Sequence, residues 1–235
     1  MVKKRLTIIC CIFNESNILK KNLNLLSKKF IDDKFYHEII FVDNNSDDGS
    51  KRILKNYKKN NKNQKIKFIF NNKNLGKGGS IKEAIKNSTG DVGVIFDIDE
   101  YKLKDIKIGF KLFTKKKCLF LIGSRISKKN LFIYKKNLYG VILLTKIINY
   151  LYKTKLTDSA SATKFFSLKK KQIFKTYTNG FNFEFELLCK FAKNKLKISE
   201  YKIDYMPRSV EEGKKIKAFR DGFKILLIII FTKFL

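Results

Sequence analysis

The feature that most constrains this chain is an alternation in its first hundred residues. Short β-branched or aromatic runs, Leu6–Phe13, Ile39–Val42, Ile66–Phe70 and Val92–Phe96, are separated by helix-like stretches at Ser16–Lys29, Ser50–Asn61 and Ser80–Asn87. This β-α-β-α-β-α-β order predicts an α/β fold with a mostly parallel sheet and helices on both faces, because parallel neighbours need a crossover between them. Ligands of such sheets bind beyond the carboxyl ends of the strands, so the chemistry is expected just after each run. Asn14-Glu15 follows the first run, and Asp43-Asn44-Asn45-Ser46-Asp47-Asp48-Gly49-Ser50 the second. Asn74-Leu75-Gly76-Lys77-Gly78-Gly79 follows the third, and Asp97-Ile98-Asp99, preceded by Gly90-Asp91, the fourth. Singly, each has a plain alternative: Asp47, Asp48 and Ser50 can cap a helix, and the glycines can make a turn.

Asp97 and Asp99, two carboxylates at a strand end, suit a hard divalent cation bound directly and through water. That cation would neutralise a nucleotide diphosphate and help it leave. The second half is less regular. A strand over Leu119–Ser124 ends in Gly123-Ser124-Arg125, and a long apolar helix covers Leu138–Tyr152. A helix at Phe183–Ala192 carries Glu184 and Glu186, and a strand at Ile198–Tyr205 precedes Pro207-Arg208 and the basic turn around Lys214. With no repeat and no linker, residues 1–218 read as one domain and 219–235 as a short apolar C-terminal helix. A helix from Phe223 to Leu235 would be about 20 Å long against about 30 Å of bilayer hydrocarbon, too short to span. With Lys224 and Lys233 flanking it, the segment can lie in a membrane interface, pack on the domain, or form a dimer contact.

Composition narrows the classes. Lys and Arg number 52 against 21 Asp and Glu, a net charge of +31 that invites a nucleic-acid or anionic-membrane partner. The lysines run through almost every segment, and no recognisable nucleic-acid motif accompanies them, so a specific nucleic-acid partner is not expected. Cys10, Cys11, Cys118 and Cys189 form no CxxC pair, and one His cannot build a His-rich metal site. Cys10 and Cys11 are expected on opposite faces of a strand, as small buried hydrophobes in a reducing compartment. The start imitates a signal peptide but lacks a small-x-small cleavage site, and reads as a buried strand.

Taken together and in order, these motifs resemble the family 2 glycosyltransferases with a GT-A fold. Cys11-Ile12-Phe13-Asn14-Glu15 stands for the family's Pro-x-Tyr-Asn-Glu type motif. Val42 through Gly49 stands for its Val-Asp-Asp-Gly-Ser-x-Asp-Gly, with Asn44 in place of the second Asp. Asn74–Gly78, Gly90-Asp91 and Asp97-Ile98-Asp99 follow in register. The second half is similar to the polyprenyl-phosphate sugar synthases, such as dolichyl-phosphate mannose or glucose synthase. The likeness lies in Gly123–Arg125, Asp158 with Lys164-Phe165-Phe166, Gly180-Phe181 with Glu184 and Glu186, and Tyr205–Arg208 followed by Glu212–Ile216. Processive polysaccharide synthases carry a Trp in a Gln-x-x-Arg-Trp motif, and this chain has no Trp.

The resemblance implies that Asn14, Glu15, Asp43, Gly76, Lys77 and Asp91 bind the donor nucleotide, with Asp97 and Asp99 on Mg2+ or Mn2+ and the diphosphate. It implies that Arg125, Arg208 and Lys214 neutralise the donor diphosphate or acceptor phosphate, and that Asp158, Lys164, Glu184 and Glu186 lie on the acceptor side. The implied reaction is a metal-dependent, inverting transfer of a hexose from UDP or GDP to a polyprenyl-phosphate lipid. Its implied place is the cytoplasmic, inner face of an anionic membrane. A phosphate acceptor is already anionic and needs only cations to position it, not a general base. A sugar hydroxyl in polysaccharide or glycolipid assembly is the alternative acceptor, and a catalytically silent scaffold the alternative class.

Overall fold

The computed structural model describes residues 4–20, 22–23, 36–61, 65–98, 103–126, 130, 132, 134–205 and 218–234. Its strands are β1 (Leu6–Ile12), β2 (Glu38–Asp43), β3 (Ile66–Phe70), β4 (Val92–Ile95), β5 (Phe120–Ser124), β6 (Lys164–Ser167) and β7 (Ile198–Lys202). The helices are α1 (Ser50–Asn60), α2 (Gly76–Lys86), α3 (Leu103–Lys115), α4 (Lys135–Tyr152), α5 (Phe183–Lys193) and α6 (Ala218–Phe234), with a 3-10 turn at Lys171–Phe174. Residues 16–20 and 22–23 are also helical. The strands form one sheet in the order β3-β2-β1-β4-β6-β5-β7. Within it β6 alone is antiparallel to its neighbours β4 and β5.

Period-two alternation sorts side chains onto the two faces. Leu6, Ile8, Cys10 and Ile12 of β1 enter one core with Leu54 of α1 and Ile106, Phe110 and Phe113 of α3. Ile9 enters the other core with Ile81 of α2, Ile148 of α4, Leu187 of α5 and Ile225 and Ile229 of α6. Cys10 and Cys11 fall on opposite sides as expected, and all four cysteines are free thiols. Phe113, Phe120, Phe165, Phe166, Phe183 and Phe191 are fully buried, each worth about 1.5–3 kcal/mol of apolar burial.

Several boundaries differ from the sequence reading, each for a physical reason. Helix α2 starts inside the glycine loop, where the Asn74 side chain accepts the Gly76 N–H (2.8 Å) and turns the chain early. Helix α4 starts at Lys135, because a polar, exposed first turn carries no apolar period. Strand β7 stops at Lys202, opposite Ser124, where its partner β5 ends. Helix α6 begins at Ala218 rather than Phe223, giving 17 residues and about 26 Å. No helix among the described residues is long and apolar enough to cross a membrane. Ile225, Ile228, Ile229 and Thr232 of α6 are buried, and the Tyr152 hydroxyl of α4 donates to the Ile229 carbonyl (2.7 Å).

Candidate active site

Strand β1 lies beside both β2 and β4, and the chain moves outward from it through β2 to β3 on one side and to β4 on the other. In doubly wound sheets such a reversal opens a crevice beyond the carboxyl ends of the strands, here those of β1 and β4, and ligands bind in it. Asn14 arrives there in a left-handed conformation (φ 52°) that Asn tolerates better than most residues. Its N–H donates to Ser46 Oγ (3.1 Å), and its own Oδ1 accepts the Asp47 N–H (3.1 Å). The Glu15 N–H donates to Ser50 Oγ (2.9 Å), and buried Asp43 accepts the Ser46 N–H (3.3 Å). Asp48 accepts from the N–H groups of Ser16 (2.8 Å) and Ser50 (2.9 Å). Burial pushes its carboxyl up, but these bonds outweigh that and hold it at about 2. Asp48 therefore takes the capping reading, closing the start of the helical residues after β1.

Behind this loop sits a knot of amides that sequence reading did not foresee. Asn44 Oδ1 accepts from the Leu75 N–H (2.8 Å) and Asn71 Nδ2 (3.3 Å), while Asn44 Nδ2 donates to Asn74 Oδ1 (2.7 Å). Its signal was Asn44 itself, an amide able to donate and accept where the resembling motif carries a carboxylate. Gly76 has φ +75°, and a Cβ there would strike the Asn179 carbonyl oxygen. A Cβ on Gly78 would strike the Phe183 ring, so both glycines serve a close approach between α2 and the chain leading into α5.

That approach assembles a line of alternating charges. Lys77 Nζ lies 2.8 Å from Asp97 Oδ2 and 2.8 Å from Glu184 Oε1, and Lys164 Nζ lies 3.1 Å from Glu184 Oε2. Because β6 runs backwards, its first residue, Lys164, reaches the edge formed by the ends of β4 and β5, pairing with Ile95 and Ile122. Burial alone would lower the Lys77 ammonium, but the carboxylates of Asp97 and Glu184 outweigh it and raise it well above its usual value. Burial likewise opposes the Glu184 carboxylate, and Lys77 and Lys164 hold it below the usual range. The Lys164 side chain is fully buried and that of Asp97 is 25% exposed, so the line opens to solvent at Asp97.

On the far side, Arg125 grips Asp158 through Nε (2.7 Å), Nη2 (3.0 Å) and its backbone N–H (3.1 Å). Despite burial, the guanidinium keeps the Asp158 carboxyl below its usual range. The guanidinium also lies over the Tyr205 ring, 5.1 Å from its centroid. Glu200 of β7, another residue the sequence reading missed, accepts the Thr157 N–H (2.8 Å) and the Asp158 N–H (3.0 Å), and burial raises its carboxyl. It fixes the turn that presents Asp158.

Two expected site residues go elsewhere. Asp91 precedes β4 and so lies at the amino edge, away from Asp97; it accepts the Arg5 N–H (3.0 Å) and pairs with Arg5 Nε (3.3 Å). A Cβ on Gly90 would strike Thr7 Oγ1, so Gly90-Asp91 is a staple between the starts of β1 and β4. Asp91 thus lies apart from the residues with which the resemblance grouped it for donor binding. Glu186, fully buried, accepts the Tyr177 N–H (2.8 Å), the Thr178 N–H (3.0 Å) and the Thr178 hydroxyl (2.7 Å), tying down the chain before α5 rather than facing the crevice. Asp99, Arg208 and Lys214 lie outside the described residues.

No group of three or more His, Cys, Asp or Glu converges as a metal cage among the described residues. Mg2+ is commonly held by one or two carboxylates together with substrate phosphates, and the partly exposed Asp97 fits that mode.

Comparison with known proteins agrees with this fold. The profile of Glycosyl transferase family 2 matches residues 7–178. A dolichyl-phosphate beta-glucosyltransferase of Dictyostelium discoideum is 35% identical over 79 residues, 34% of this chain and 24% of that protein. The match thus spans about a quarter of that relative's length. Glucosyl-3-phosphoglycerate synthase from Mycobacterium tuberculosis, in complex with Mn2+, UDP and glucosyl-3-phosphoglycerate, superposes with a TM-score of 0.72 at 12% identity, over 99% of this chain and 81% of that one. The same enzyme with Mn2+, UDP-glucose and phosphoglyceric acid gives 0.72 at 12% identity, over 99% and 80%. These likenesses show the GT-A fold.

Proposed function

Since the chain belongs to glycosyl transferase family 2, we propose that it transfers a hexose from a nucleotide diphosphate to a polyprenyl-phosphate lipid at a membrane surface. The observation that carries the reading is the charged line that opens at Asp97 in the crevice and runs through Lys77 to Glu184 and Lys164. In this reading it joins the nucleotide side of the crevice to the acceptor side through three ion pairs. Its 35% identity over 79 residues with the dolichyl-phosphate beta-glucosyltransferase supports a lipid-phosphate acceptor.

In this mechanism Asn14, Glu15 and Asp43 line the nucleoside end, on a loop already stitched by hydrogen bonds from backbone N–H groups to side-chain oxygens and so preorganised. Asp97, with Asp99, would hold Mg2+ or Mn2+, which supplies charge neutralisation for the leaving diphosphate. Lys77 holds the Asp97 carboxylate in place. Arg125, oriented by Asp158, would neutralise the anionic acceptor or diphosphate, a role the family resemblance also gives to Arg208 and Lys214. The acceptor phosphate oxygen attacks the anomeric carbon as the bond to the diphosphate breaks, so configuration inverts and no general base is needed.

The test is a transfer assay with labelled UDP- and GDP-hexoses, Mn2+, and either polyprenyl phosphate or a sugar-hydroxyl acceptor. The expected product partitions into organic solvent, carries the label, and disappears when a chelator is added. Transfer to the sugar hydroxyl alone would overturn the lipid-phosphate assignment.

A further inference from the structure

Helix α6 buries one stripe and exposes another. Ile225, Ile228, Ile229 and Thr232 face the domain, while Phe223 (59%), Leu227 (52%), Ile230 (41%) and Phe234 (78%) stand in solvent at helical spacing on the opposite side. Its neighbour α4, tied to it by Tyr152, exposes Tyr139, Leu143 and Tyr150 as well. A helix that is apolar all round expects a covering on both sides, and an exposed apolar patch marks an interaction surface.

Charge selects the occupant. Across α4 and α6 the basic residues are Lys135, Lys136, Lys146, Arg220, Lys224 and Lys233. The one acidic residue of these two helices, Asp221, is paired with Arg220 at 3.6 Å. A second copy would bring the same basic rim, on a chain of net charge +31, against this one. An anionic bilayer brings the opposite charge, together with hydrocarbon for the exposed stripe. We propose that the exposed stripe of α6 docks the protein on an anionic lipid surface. Phe223, Leu227, Ile230 and Phe234 enter the headgroup–acyl boundary, and Lys224 and Lys233 meet the headgroups.

Helix α6 is linked to the glycine loop through the segment that carries Tyr177 and Asn179. Phe231 of α6 meets the Tyr177 ring edge-on at 5.6 Å. Two residues on, Asn179 accepts the Gly79 N–H (3.0 Å) and the Lys82 ammonium (2.8 Å) of α2. The inference rests on the proposed lipid-phosphate acceptor for its purpose, but lipid binding itself needs neither donor nor acceptor.

The experiment is sedimentation of the full chain with vesicles of phosphatidylcholine alone or mixed with phosphatidylglycerol. The comparison is the variant Phe223→Ser/Leu227→Ser/Phe234→Ser, checked for folding by its thermal melt. The wild-type protein is expected to sediment with anionic vesicles and less so at high salt. The variant should lose at least ~10-fold in partitioning at an unchanged melt, given the apolar area removed. Equal binding by both proteins would mean that diffuse charge suffices, and would overturn the assignment. So would a wild-type protein that ignores vesicles but forms a dimer the variant cannot form. Transfer to a short, water-soluble prenyl phosphate reads the activity separately, so failure to dock and failure of the proposed reaction are distinguishable.

Discussion

At the residue scale, the energetics turn on which charges are buried with their partners. Arg125 and Asp158 form a bidentate pair with Asp158 fully buried, whereas Arg5 and Asp91 meet at the surface, Arg5 being about half exposed. Arg125→Ala leaves a buried carboxylate unpaired and should destabilise by about 3–5 kcal/mol in denaturant melts. Arg5→Ala should cost no more than about 1 kcal/mol. Similar losses in both variants would refute the contrast. Glu38 gives a pH test. Burial pushes its carboxyl up, but Lys67 (2.6 Å), the Thr89 N–H and the Thr7 hydroxyl outweigh that and hold it at about 2. A carboxyl lowered from 4.5 stabilises the fold above that pH, and the contribution drains away as pH falls towards about 2. Glu38→Gln should therefore be less stable at neutral pH, with the gap to wild type closing on acidification in urea melts. A gap that stays constant would show that the ion pair is not the source. Gly90-Asp91 shows how a motif can mislead at this scale. Carboxylates at the two ends of one strand look alike in sequence, and the strand's direction puts Asp91 and Asp97 at opposite edges.

At the element scale, the strands β1 to β5 and the helices α1 and α2 were legible because period and composition agree there; of the helix expected at Ser16–Lys29, residues 21 and 24–29 lie outside the described residues. Strand β6 was not read as a strand. It is only four residues long, opens with a charged Lys164, and runs against its neighbours, none of which leaves a pattern in sequence. Its reversal is nonetheless what brings Lys164 to Glu184, so periodicity showed the half of the site built on strand ends, and only the family resemblance named the residues of the half built on long-range packing. The start of α2 is the element most exposed to a single substitution. Gly76→Ala must adopt φ +75° against the Asn179 carbonyl, a strain of about 1–3 kcal/mol. The resulting shift of Lys77 should cut transfer by about 100-fold. Gly140→Ala in α4, where a Cβ meets nothing within 4 Å, should instead stabilise by about 0.5–1 kcal/mol and leave transfer unchanged. Unaltered activity in Gly76→Ala would mean that the glycine loop does not position Lys77.

At the scale of the whole molecule, the proposed docking on an anionic surface rests on a net charge of +31 and an exposed apolar helix face. The sheet's reversal point between β1 and β4 is where the proposed chemistry is placed. That placement reduces to one claim, that a nucleotide diphosphate binds with a divalent metal at the end of β4. The most direct measurement is calorimetric binding of UDP and GDP, with and without Mn2+, to the wild-type protein and to the variant Asp97→Asn/Asp99→Asn. The account predicts that one nucleotide binds only with metal present and that the variant abolishes this binding. Failure of both nucleotides to bind folded protein with Mn2+ present would contradict it.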